Sequence, residues 1–377
     1  MVSKKIVQEK VDFLEALKKL CIERDVSTDM MFDAIESALV VAYKKNFDTA
    51  QNVEVSLNRE TGAYHVYALK DVVDEVIDPI RQITISAAQE IDPHYEEGDV
   101  VRIEVTPRNF GRIAAQAAKQ FVVQKIREVE RGMLYDEFSG KANDIVSGTI
   151  VRIENNDVII DIGKAEAVLL PSEQIIGEDY SVGKYIKAYI AEVKKGSKGP
   201  QIFVSRTHPG LLKRLFELEV PEIQEGIIEI KSIVREPGMR SKVSVLSKDE
   251  NIEPVGTCIG NKGVRVQAIV NEIGGQEKID LIKWDPEPGK YIANALSPSK
   301  VKVVWVDEAE KVARVVVPNN QLSLAIGKEG QNARLVAKLT GWKIDIKSVE
   351  QSRELEVPEG MQKVQLRNKK NRNRRKR

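Results

Sequence analysis

Apolar residues recur along this chain with three different rhythms. In the first third, Phe32, Ile35, Leu39, Ala42 and Tyr43 fall on one face of a helix with 3.6 residues per turn. Two strands flank the turn Asn58-Arg59-Glu60-Thr61-Gly62. Thr106 and Pro107 read as the N-cap and first position of a long helix running to about Arg131. Ile113, Ala117, Phe121 and Val129 form its apolar side, while Arg108, Arg112, Gln116 and Lys119 share another face. Residues 1–135 are predicted as an α+β unit.

Across residues 136–205 the rhythm shortens to two. Strand-like runs (Ile145 to Arg152, Val158 to Ile162, Ala165 to Leu170, Tyr185 to Val193, Gln201 to Ser205) are separated by short polar turns. Five short strands in so compact a stretch predict a small closed barrel of the OB type.

The third rhythm is a repeat. Ile259-Gly260-Asn261-Lys262-Gly263 returns as Ile326-Gly327-Lys328-Glu329-Gly330, 67 positions later, and Lys278-Ile279-Asp280-Leu281 returns as Lys343-Ile344-Asp345-Ile346. Each copy has a short helix (Leu211 to Glu219; Lys290 to Leu296). Two alternating strands follow (Ile227 to Arg235 with Lys242 to Leu246; Val301 to Val306 with Val312 to Val317). A helix, the Gly-x-x-Gly turn, a second helix and a last strand complete it. A duplicated α-β-β-α-α-β order predicts two tandem α/β domains, at 206–284 and 285–349.

Composition and charge add little until the C-terminus. Hydrophobic residues make up 42% and no apolar run is long enough to cross a membrane, so a membrane span is excluded and no membrane partner is predicted. The N-terminal MVSKKIVQEK lacks the apolar stretch of a secretory leader. Cys21 and Cys258 match no metal spacing and read as small buried hydrophobes in a reducing cytoplasm. The formal charge of +1 hides an asymmetry: residues 1–135 carry 18 basic and 23 acidic side chains, residues 351–377 carry 10 and 3. Such a block repels itself and has little to bury, so residues 350–377 are predicted as a disordered basic tail. A polyanionic partner is implied.

The Gly-x-x-Gly turns carry the most specific chemistry. A turn between helices presents backbone N–H groups and a helix N-terminus to a phosphate, and glycine lets a nucleic-acid backbone come close. KH domains clamp about four nucleotides with such a loop. In the first turn, Asn261, Lys262 and nearby Arg265 favour phosphate by charge as well as dipole; in the second, Glu329 opposes it, and Gln331, Asn332 and Arg334 are expected to compensate. The first loop is predicted to be the stronger phosphate site.

A barrel followed by two KH domains and preceded by an α+β domain resembles the NusA family of bacterial transcription factors. Phe203-Val204-Ser205-Arg206 through Leu218-Glu219-Val220-Pro221-Glu222-Ile223, Pro254-Val255-Gly256 through Gly263-Val264-Arg265-Val266-Gln267, and Ala325-Ile326-Gly327 through Gly330-Gln331-Asn332 carry that resemblance, which covers about residues 1–350. It implies an N-terminal domain that binds RNA polymerase near the RNA exit channel, an S1-type OB barrel and two type II KH domains. It further implies contact with nascent single-stranded RNA and RNA hairpins, and modulation of pausing, intrinsic termination and antitermination. Other transcription elongation factors would be further partners of a cytoplasmic monomer. Arg112 and Lys119 fall on the helix that the family directs toward RNA hairpins, and Arg206 matches a junction arginine for which an RNA contact and an ordinary salt bridge both remain open. Some members continue past the second KH domain with acidic repeats; here a basic segment follows instead, so partners of those repeats are not implied. The barrel offers Val158, Ile160, Leu169 and Leu170 where many S1-type barrels expose stacking rings, and is expected to grip RNA weakly.

No catalytic constellation emerges. His65, His94 and His208 stand in separate segments without a nucleophile or carboxylate at motif spacing, and Asp71, Asp74, Glu75 and Asp78 read as a solvated edge rather than a cation site. Trp284, Trp305 and Trp342 read as packing residues. No catalytic residue, metal or cofactor is therefore predicted, although an RNA-processing enzyme or an RNA chaperone would use similar modules.

Overall fold

The computed structural model describes residues 21, 27–47, 52–108, 110–353, 360–364 and 366. The chain divides into two compact units, residues 1–133 and 134–377.

In the first unit, helix α1 (Thr28–Phe47) buries Phe32, Ile35, Leu39 and Tyr43, the face that their spacing predicts. Strand β2 (Tyr64–Val73) is the centre of a sheet. It pairs antiparallel with β1 (Asn52–Leu57) and β4 (Val100–Glu104), and parallel with β3 (Gln82–Thr84). A short helix, α2 (Ile85–Gln89), follows β3. The long helix α3 spans Phe110–Gly140, starting later and ending later than expected. Thr106 does not cap it: its Oγ1 accepts from the Val66 N–H (2.9 Å) and donates to Glu104 (3.0 Å), so its hydroxyl serves the sheet. The buried line of α3 is Phe110, Ala114, Ala118 and Val122, with Ile113, Ala117 and Phe121 flanking it. Phe110 meets Tyr43 and Tyr64 edge-on, with centroids 5.5 and 5.6 Å away.

The second unit opens with the end of α3, whose Phe138 belongs to the core of a closed barrel. Strands β5 (Ile145–Glu154), β6 (Asp157–Asp161), β7 (Glu166–Leu169), β8 (Tyr185–Gly196) and β9 (Gly199–Ser205) close in the order β5-β6-β7-β9-β8. Val158, Ile160, Leu169, Ile190, Ile202 and Val204 fill the interior. Each stabilises the fold by roughly 1.5–3 kcal/mol through removal from water. Val158, Ile160 and Leu169 therefore do not occupy positions that a stacking ring could take.

Two α-β-β-α-α-β domains follow. The first holds α4 (Pro209–Glu219), a short α5 (Pro221–Gln224), β10 (Ile228–Glu236), β11 (Arg240–Ser247), α6 (Pro254–Ile259), α7 (Val264–Glu272) and β12 (Lys278–Lys283). The second holds α8 (Pro288–Ala295), β13 (Val303–Asp307), β14 (Val312–Val317), α9 (Leu322–Ile326), α10 (Gln331–Thr340) and β15 (Lys343–Ser348). In both, the last strand runs parallel to the middle one. The repeat extends to a cross-strand ion pair: Lys242 with Asp280 (2.9 Å) and Arg314 with Asp345 (3.3 Å) occupy matching register positions. Cys258 is fully buried in the first domain's core, which pushes its thiol up to about 12.

The segment expected to be a tail is in part structured. Helix α11 (Val349–Arg353) extends β15, and β16 (Gln362–Val364) adds antiparallel to the edge strand β13. Val364 is buried against Gly289, where a Cβ would lie 2.5 Å from its side chain. Lys363 lies over Trp305, with Nζ 5.4 Å from the ring centroid, and Leu366 packs on the same core. Two apolar residues spaced by two suffice to cover an open sheet edge, a signal hidden among charges. Residues 354–359, 365 and 367–377 of that segment lie outside the described residues.

Candidate nucleic-acid interface

The two Gly-x-x-Gly loops have nearly the same backbone. Gly260 and Gly327, which end α6 and α9, adopt φ/ψ of 76°/174° and 77°/172°, a region open in practice only to glycine. A Cβ at Gly260 would fall 2.8 Å from Cγ of Arg265, and one at Gly327 would fall 2.9 Å from the Asn332 N and Cβ. The first glycine of each loop is therefore demanded by the fold itself. Gly263 and Gly330 are left-handed as well (φ 82° and 73°), yet a Cβ there would meet nothing within 4 Å. The space over the second glycine is where a ligand backbone can approach. Between them Asn261, Lys262, Lys328 and Glu329 are exposed, and α7 and α10 begin immediately after.

Residues expected to assist at the loops are mostly engaged elsewhere. Arg265 Nη1 donates to the Thr257 carbonyl (2.8 Å) and to Glu222 (3.0 Å). Asn332, its counterpart in the repeat, is buried and donates from Nδ2 to the Ala325 carbonyl (2.9 Å). Both side chains tie their helix back to the end of the preceding one, which makes them fasteners of the turn. Gln331 and Arg334 both reach Glu236 of the first KH domain (each 2.8 Å), so the start of α10 is fixed to the end of β10. The Arg334 guanidinium holds the Glu236 carboxyl below the usual carboxylate range, with Gln331 adding a further bond. Lys262 is left as the exposed cation of the first loop, and Lys328 beside Glu329 in the second.

Arg206 is no surface contact. It is fully buried and ion-pairs with Glu178, donates to the Lys187 carbonyl of the barrel (2.6 Å), and donates to the Glu272 carbonyl at the end of α7 (2.7 Å). Tyr180 donates to the same Glu178 (2.8 Å), and burial pushes its phenol upward. The barrel and first KH domain are further joined by stacking of Tyr189 on His208 at 4.4 Å, and within the KH domain the buried pair Arg235–Glu277 holds that histidine, its arginine donating to the His208 carbonyl (3.2 Å). Of the two readings left open for Arg206, the junction salt bridge is the one the structure shows.

Arg112 and Lys119 are exposed on α3, with Arg108 a turn earlier. Below them, Gln116, Lys119, Gln120, Val123, Gln124, Arg127 and Arg131 line an open depression of about 560 Å³. His65 and His94 pair with Glu104 (2.8 Å) and Asp92 (2.7 Å) on the surface. Trp284 and Trp342 pack on the core of the second KH domain. Among the described residues, no group of three or more His, Cys, Asp or Glu could hold a metal, and no helix is long and apolar enough to cross a membrane.

Fold and loops together define a modular nucleic-acid-binding protein of the OB-plus-tandem-KH class. The NusA N-terminal domain family matches residues 12–132, the S1 RNA binding domain 140–205, and the NusA-like first and second KH domains 206–284 and 288–354. The transcription termination/antitermination protein NusA of Bacillus subtilis (strain 168) is 57% identical over 346 residues, covering 92% of this chain and 93% of that one. Its namesake from Thermus thermophilus is 41% identical, with 90% of each chain covered, and that of Rickettsia prowazekii is 38% identical, with 90% of this chain and 68% of the longer relative covered. The chain belongs to the NusA family.

Proposed function

We propose that this protein is a non-enzymatic regulator of transcription that acts in the cytoplasm while bound to RNA polymerase. Residues 1–133 dock near the RNA exit channel, which raises the effective concentration of the RNA-binding modules there. Individually weak KH contacts to the emerging strand then suffice to shift the balance between elongation, pausing and release. Gly263 with Lys262 forms the main phosphate clamp, Gly330 with Lys328 the lesser one, and Arg112 with Lys119 faces RNA hairpins. The observation that carries this reading is the duplicated loop, each copy with open space over its second glycine and a helix starting behind it.

A fragment starting at Leu134 keeps Phe138 in the barrel core and so tests the division of labour. It should bind single-stranded RNA but no longer enhance pausing in a purified transcription assay. Full activity of the fragment would remove docking from residues 1–133. In the whole protein, replacing Arg112 and Lys119 together by Ala should weaken hairpin-dependent pausing while polymerase binding persists.

A further inference from the structure

One turn beyond the second glycine of each loop, the following helix carries a long polar side chain: Gln267 on α7 and Arg334 on α10. Gln267 donates to Asn271 of its own helix (2.9 Å). Arg334 reaches in two directions. Its Nη1 donates to the Glu329 carbonyl inside the loop (3.4 Å), so the guanidinium already stands at the clamp. Its Nε and Nη2 donate to the two oxygens of Glu236 (2.8 and 3.2 Å). Gln331 donates to the same carboxylate (2.8 Å), and Lys338, one turn further along α10, adds to the positive charge around it. Arg334 is half exposed whereas Glu236 is largely covered, so the guanidinium keeps an open side.

An arginine fork matches a phosphate as well as it matches a carboxylate. A phosphate seated over Gly330 competes with Glu236 for this guanidinium and also faces Glu329, whose charge opposes it. While Glu236 holds the fork, the nearest arginine does little to offset Glu329. We propose that Glu236 is an autoinhibitory carboxylate: it withholds Arg334 from single-stranded RNA at the second loop, and removing its charge lets the guanidinium bind an RNA phosphate there. This rests on the RNA-binding reading above and deepens it, because it makes a residue of the first KH domain the restraint on the second one's grip.

The test titrates a labelled, unstructured RNA oligonucleotide against the full chain at several salt concentrations, with thermal melting to verify folding. Glu236→Gln keeps the size and one acceptor oxygen but removes the charge. It should bind RNA about threefold more tightly. The slope of log affinity against log salt should steepen by about 0.7, the share of one phosphate. Glu236→Asp keeps the charge on a shorter arm and should give a smaller gain; it decides by the same signs if Glu236→Gln does not fold. Arg334→Gln should change the parent little, yet abolish the gain when combined with Glu236→Gln. Unchanged or weaker binding in Glu236→Gln overturns the proposal, the weaker result marking the pair as a strut that holds the loop in place. An equal gain with and without Arg334 overturns it too, since the effect would then be the loss of a negative charge alone. Gly263→Asp and Gly330→Asp separate the two readings. If they weaken binding while Glu236→Gln does not strengthen it, the inhibitory contact falls and RNA binding through the KH loops stands; if neither weakens it, both fall.

Discussion

In the first KH domain the loop after α6 offers Asn261 and Lys262, and its flanking Arg265 is tied to Glu222 inside the same domain. In the second, Lys328 is followed by Glu329, and Gln331 and Arg334 are held by Glu236 of the neighbouring domain. The backbones are superposable in their torsions, so shape cannot distinguish the loops. Charge and tethering do. One copy of the repeat keeps a cationic, self-contained loop; the other gives part of its flank to holding the two domains together. Duplication has preserved the clamp and divided its duties.

The largest expected effect follows from the second glycines. Asp tolerates the left-handed backbone better than most residues and a Cβ at Gly263 or Gly330 meets no atom within 4 Å, so the fold should persist. Gly263→Asp should weaken single-stranded RNA binding about tenfold and Gly330→Asp about threefold, read by titration. The first glycines should behave in the opposite way. Gly260→Ala and Gly327→Ala should each cost about 1–3 kcal/mol of stability, because the same forbidden torsions are met at both and each Cβ meets a close neighbour, the Arg265 side chain at one and Asn332 at the other. Thermal melting would check this, and a large inequality between the two would mean that the loops are not structural equivalents.

A smaller effect lies beyond the second domain. Ending the chain after Leu366 removes eight basic residues but leaves β16 in place. The dependence of log RNA affinity on log salt should flatten by roughly 3 if half of those charges meet phosphates, with the melting temperature unchanged. Ending it after Glu359 strips β16 as well and uncovers β13, so the second KH domain should also melt lower.

How much of this was legible in the sequence depends on the range of the interaction. The helical face of Phe32 to Tyr43, the five barrel strands and the order of the duplicated domains rest on local periodicity and were readable. So was the glycine pair, because the repeat displays it twice. For Arg206 the sequence left an RNA contact and a junction salt bridge both open and could not decide between them, since its partner Glu178 lies 28 positions away. Arg334 meets Glu236 across 98 positions, and no spacing rule reaches that far. Asn332 looked like a phosphate ligand because it is polar and beside the loop; it is buried instead, its amide donating to the Ala325 carbonyl. The strand β16 was hidden for a different reason: it is a short alternating signal within a charged stretch.

The central claim is that the loops differ in what surrounds a shared backbone, so exchanging their middle residues tests it most directly. Asn261→Lys with Lys262→Glu, combined with Lys328→Asn and Glu329→Lys, gives each loop the other's pair without touching a glycine. On that background the Gly→Asp titrations are repeated at one salt concentration. Gly330→Asp should now cause the larger loss of RNA affinity and Gly263→Asp the smaller. If Gly263→Asp still causes the larger loss, the ranking belongs to position in the chain, and the charge account of the two loops is wrong.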